Sequence, residues 1–503
     1  MPARHLRCLA LSSSALCALT LAQPAAASCV ESVDVSGNPV LTCAGTGSDR
    51  VNDDRSDLTV MVTDSGEIVR ENGRAVQFGG DRVTVDNAGL IESRGDNDGI
   101  RSSGSDLTVD NAGTITGTDR GIRLTDGEGR FTLFNRESGE IRSRRQAVRL
   151  DNDALLSGNL FENRGLIDSS EGRAIQSRGP GNVVINHASG VMRGGEEVIE
   201  GRMDFTVENH GLIALHGLDW DPDTRTWTNS GATEDEDGIQ FASGMLDNHG
   251  VILATDDGLD IDEGTLLNRS TGVIVSAGPN DLRNSAAVDI DGILQDPGGP
   301  RDGEIPGPVT IVNEGYMEGP TGIAAALDAV HEIEIANSGT LIGRGGNAID
   351  LAPGQGDTTI ALFGMSVVQG DILFGNGGLN TLILGPFETG AAFDGTVSAR
   401  GPGDLPGVFD VAFGDGVGIG DFYSYLFADD RFTLGMRAGA DRLSFDLFGA
   451  AGFTLDGSRY APDEFAALLR SGGVGVIPLP AGIWLLLGGL GFLAGLARAR
   501  RTA

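Results

Sequence analysis

The sequence predicts an all-β chain folded as a right-handed parallel β-helix, a solenoid of coils of about 22–24 residues. Three observations predict it. Gly contributes 78 of 503 residues, aromatics only 5% and hydrophobic residues 40%, a composition suited to many short strands joined by tight turns around a real core. An apolar-x-Asn pattern recurs at Asn87, Asn111, Asn135, Asn163, Asn186, Asn209, Asn248, Asn268, Asn313 and Asn337, mostly at gaps of about 20–28 residues, the spacing of a solenoid. The column two residues before each Asn, from Val85 to Ile335, and the column two after the Gly that follows, from Ile91 to Leu341, are apolar throughout.

In chain order, residues 1–27 carry Arg4 and Arg7, an apolar stretch from Cys8 to Ala22, and Ala25-Ala26-Ala27 before Ser28. Those features predict a secretory signal peptide cleaved after Ala27. Cys29 and Cys43 remain, spaced for a disulfide within an N-terminal cap over 28–57, and export permits the bond. The coils occupy 58–385. Each turns a corner into a second strand centred on Ile100, Ile122, Val148, Ile175, Ile199, Ile239, Leu259, Val288, Ile323 and Ile349. Inward amides at the Asn positions are expected to donate from coil to coil, satisfying groups that the stack buries. Residues 386–470 alternate apolar and polar and predict a β-rich closing region. Phe374–Leu384 is read as a closing coil.

Residues 471–503 form the tail. Pro478, Leu479, Pro480 and Ala481 lead into an apolar run from Gly482 to Ala497, then Arg498, Arg500 and Arg501. The run is just long enough for one transmembrane helix, and the arginines would hold its end in the cytoplasm. This tail resembles the VPLPA-type sorting signals of Gram-negative bacteria, similar to the PEP type handled by exosortases, with Ile477 in place of the first valine. The resemblance implies a sorting protease as partner, transient anchoring in the inner membrane, and delivery to the cell surface or matrix. The coil pattern over 58–385 resembles the β-helices of pectate-lyase-like enzymes and autotransporter passengers. No catalytic motif of either carries over, and the residues after Gly385 do not provide an autotransporter's β-barrel.

Against 36 arginines and no lysine stand 71 carboxylates, a formal charge of −35. That balance excludes nucleic acid and anionic lipid as default partners. Candidate chemistry sits where two corners lengthen, from Ile213 to Ile239 and from Ile274 to Val288. Loops 214–238 and 275–308 would flank a groove, with Trp220 and Trp227 as stacking faces for polysaccharide. If the chain were a lyase or hydrolase, Asp235, Asp237, Asp256 and Asp257 in the 234–262 groove would be its acid and base; with no nucleophile–base pair, a structural or adhesive role is favoured. The outward position after each corner-strand apolar residue reads Arg101, Arg123, Arg149, Gln176, Glu200, Gln240, Asp260, Asp289, Ala324, Asp350. Its arginines could hold an acidic polysaccharide or pair with Asp98 and Asp126. Asp260, Asp262, Asp289 and Asp291 could share Ca²⁺ between coils, the one cofactor the sequence offers. His187, His210 and His249, each after a ladder Asn, should stack outward.

Overall fold

A computed structural model describes residues 28–476 apart from 48–49, 127–128, 152–155, 233–234, 280–284, 292–306, 327–328, 330, 376 and 400–407. The signal segment and the tail from 477, including Pro478, Leu479, Pro480 and Ala481, lie outside the described residues. Among the described residues no helix is long and apolar enough to cross a membrane.

The chain is a parallel β-helix of about thirteen turns with 3% helix. Each regular coil contributes three short strands, as in Thr84–Asn87, Leu90–Ser93 and Ile100–Ser102, which form the first, second and third faces of the stack. Their pairing to the next coil is parallel and in register: Val85 lies over Val109, Ile91 over Ile115, Ile100 over Ile122. Period-two alternation drives this. Inward Val85, Ile91, Ile100, Val109, Ile115 and Ile122 are fully buried, each contributing about 1.5–3 kcal/mol from burial. A one-residue slip would turn the whole apolar column outward.

The ladder asparagines line the interior at the turn between the first two faces. Asn87 Nδ2 donates to Asn111 Oδ1 at 2.7 Å, and the same bond repeats at 2.7–2.9 Å through Asn135, Asn163, Asn186, Asn209, Asn248, Asn268 and Asn313 to Asn337. All ten side chains are buried. Leu362 stands over Asn337 in the next coil, and Ser366 Oγ accepts the last amide at 2.6 Å. The Gly after each Asn is required by closeness. A Cβ on Gly113 would lie 2.1 Å from the Gly89 carbonyl oxygen.

Both ends carry antiparallel strands outside the repeating pattern. At the start, Ser28–Val33 pairs antiparallel with Pro39–Ala44, and the Cys29–Cys43 disulfide joins the two strands. Pro39–Ala44 then pairs parallel with Thr59–Val62, so parallel stacking begins there. At the far end, parallel pairing continues through Phe409–Phe413 to Ala450–Leu455. Strands Phe422–Ala428, Arg431–Ala438 and Asp441–Phe448 run antiparallel. Helix Pro462–Ser471 buries Phe465, Ala466 and Leu469 against them, with the Phe465 ring stacked on Phe413 and Phe453.

Asn186→Ala removes two ladder links at once. It is expected to lower the unfolding free energy by about 1–3 kcal/mol in a denaturant titration; an unchanged midpoint would refute a stabilising ladder.

Candidate functional site

The long corner after Ile213 folds into a hairpin of Leu218–Asp221 and Thr226–Asn229, with Trp220 opposite Trp227. Asp221 fixes its turn by accepting from the Asp223 backbone and the Thr224 hydroxyl at 2.9 and 2.8 Å, and Arg225 takes φ 53°. The hairpin lies along the second face. Outward positions there read Thr116, Arg142, Asp168, Arg193, then Ala214, Leu253, Val275, then Glu318. The three apolar members are buried. Both tryptophans are half-buried and pack toward the rod. Trp220 sits 6.3 Å from the Tyr316 ring. Trp227 Nε1 donates to Glu318 at 3.3 Å, with the Arg344 guanidinium 5.3 Å above its ring. These rings serve the hairpin's docking, so stacking faces for a sugar are limited to what they leave exposed. The run Ala214, Leu253, Val275 was the available signal: apolar residues at outward positions need a cover.

The hairpin's base is held by His216, whose Nε2 lies 2.9 Å from Asp168 Oδ1, and by Arg193, which reaches Asp219 at 2.7 Å. A cavity of about 160 Å³ opens beside it, lined in part by Ser170, Leu215, His216 and Thr255.

The acidic residues gather in two trios. Asp237, Asp256 and Asp257 each offer an oxygen within 4.8 Å of the others, and so do Asp260, Asp262 and Asp291. Asp235 is exposed and belongs to neither trio. Asp289 stands in register with Asp260 on the next coil, outside the second trio. Backbone and neutral donors serve the first group. The Asp257 and Ala286 N–H groups donate to Asp237 and Asp257 at 3.1 and 2.7 Å, and Ser285 Oγ to Asp256 at 2.8 Å. Gln240 Nε2 donates to Asp260 at 2.7 Å.

Burial, then the charge of Asp260, pushes Asp237 up to about 9. Burial, then Asp291, pushes Asp260 up to about 7. Asp257 and Asp289 are raised well above the usual range by burial and neighbouring carboxylates. Oxygens mutually within 4.8 Å fit around one cation whose ligands stand at about 2.3–2.6 Å, and an all-carboxylate set suits Ca²⁺. An acid–base reading is weaker, because Asp237 and Asp257 are buried and already committed to backbone donors.

On the third face Arg101, Arg123 and Arg149 stack in register, and the column runs on through Gln176, Glu200, Gln240, Asp260 and Asp289. Arg123 and Arg149 both pair with Asp151. Asp98 is buried and pairs with Arg120 and Arg74 at 3.6 and 3.7 Å. Of the histidines, His210 and His249 stack at 4.5 Å, and His187, His210 and His249 each stand beside an acid, Glu162, Glu208 and Asp247. Neither carboxylate trio includes a histidine.

Comparison with known protein families, with curated proteins and with solved structures gives no match to this chain.

Raised carboxyl pKa values set the sign of a pH effect. The folded state holds these protons more tightly than the unfolded chain, so the stability they confer is full below the ordinary carboxylate range. It is lost as pH rises through about 7 and then about 9. In buffer without divalent cations, the denaturant midpoint is expected to fall between pH 5 and pH 9, and Asp237→Asn with Asp260→Asn to flatten that slope. A midpoint that rises over this interval would contradict the assignment.

Proposed function

We propose that the chain is an exported protein of the cell surface or matrix, a right-handed β-helical rod with a structural and adhesive role that holds polysaccharide. One observation carries the reading: a continuous parallel stack mounts a docked hairpin and sorted columns of charge on one frame. Such a frame presents binding groups at fixed spacing and gains nothing from catalytic motion. Address comes from the sequence. The leader over 1–27 directs export, and the tail over 471–503 anchors the chain in the inner membrane until an exosortase-like protease cuts at the Pro478–Ala481 motif.

The test is incubation of residues 28–476 with acidic and neutral polysaccharides, following retention and new chain ends together. Retention without new ends is the expected result. New ends that vanish on Asp256→Asn with Asp257→Asn would make the chain a polysaccharide lyase or hydrolase and overturn the reading.

The clustering of Asp260, Asp262 and Asp291 favours a second, compatible reading, a calcium-stabilised matrix component. Ca²⁺ is expected to raise the melting temperature at pH 8 and chelation to lower it again. A melting temperature indifferent to Ca²⁺ removes this reading.

A further inference from the structure

The whole chain carries a formal charge of −35, yet on the third face of the N-terminal coils guanidiniums locally outnumber the carboxylates among the described residues. Five guanidiniums, Arg74, Arg101, Arg120, Arg123 and Arg149, converge on the third face, with Asp98, Asp119 and Asp151 as their carboxylates. Stacked strands put the Arg101, Arg123 and Arg149 backbones about 4.8 Å apart, so like charges repel along the column unless neutralised. Among the described residues neutralisation is incomplete. Asp151 is divided between Arg123 and Arg149. Asp98 is shared by Arg74 and Arg120 at the long distances given above, and Arg120 also uses Asp119. The side chain of Arg101, in register between Gln77 and Arg123, makes no hydrogen bond or ion pair with any described residue. Burial, then Arg74 and Arg123, lowers its pKa.

The next coils differ. Arg173 meets Glu196, Glu197 and Glu200, each at 2.6 Å, so the surplus ends there. The patch is therefore bounded along the rod, and Arg101 is its member whose side chain pairs with no carboxylate among the described residues.

We propose that this patch binds a polyanionic polysaccharide laid along the rod, with Arg101 as the residue that takes its carboxylate or sulfate group. The guanidinium's planar fork suits either anion, with two parallel donors. Repetition at the coil rise favours a polymer over a single small ion. This rests on the adhesive reading and narrows it to a class of ligand and a place. The tryptophan hairpin, on another face, is not required.

The test uses the full-length protein and three immobilised polymers: hyaluronate for carboxylate, dextran sulfate for sulfate, and dextran as the neutral control. Retention on one or both polyanions, falling as salt rises and absent on dextran, is expected, and the polymer preferred identifies the anion. Arg101→Glu should weaken that retention at least about tenfold without lowering the melting temperature, since the guanidinium makes no hydrogen bond or close ion pair among the described residues and the change removes its repulsion with Arg74 and Arg123. Arg101→Lys, which keeps the charge and loses the paired donors, should fall between the unaltered protein and Arg101→Glu. Polyanion retention untouched by Arg101→Glu, or equal retention on dextran, overturns the site while leaving the adhesive reading in place. No retention on any polymer, by a protein with an unchanged melting temperature, overturns both.

Discussion

Coil-to-coil register is the constraint from which the rest follows. Strands of the stack satisfy their backbones on the coils before and after them, so each side chain stands over and under the members of its own column. In apolar columns this repetition is favourable at every step. In the Asn column it becomes a chain of amide bonds that is satisfied only while each coil carries the same residue at the same height. In charged columns it is a cost, because identical residues repeat at the strand spacing. Core, ladder and candidate sites are one geometry acting on three kinds of side chain.

The changing sign of the third-face column shows that cost handled in two ways. The arginine end borrows carboxylates from outside its own column, as Asp151 does for Arg123 and Arg149. The aspartate end retains protons, with Asp260 and Asp289 raised by burial and by neighbouring carboxylates. Between them Gln176 donates to Glu200, a neutral-to-charged step that separates the two regimes.

Much of the stack was legible in the sequence because inward positions tolerate few residue types. Val85, Ile91 and Asn87 repeat because the interior repeats. The Cys29–Cys43 bridge was legible from spacing and export context, and the structure contains it. Corners were not legible in the same way. That Trp220 and Trp227 lie against the rod depends on Tyr316, Glu318 and Arg344, which come from later coils and have no local signature in the loop. Local pattern did register the covered face, at Leu253 and Val275, but not what covers it. Arg74 and Arg120 were missed for a related reason, since they join the patch from positions two residues before the strand centres at Val76 and Ile122.

The N-terminal hairpin has a consequence for assembly. A parallel stack ends in a coil whose upper backbone groups face nothing, which is a template for another chain's edge. Ser28–Val33 occupies part of that edge in antiparallel sense and is fastened to it by a covalent bond. A foreign strand arriving there would have to displace a segment that cannot leave. Coil-on-coil addition at that stretch is thereby opposed by a covalently held strand, while the rest of the first coil keeps its parallel edge.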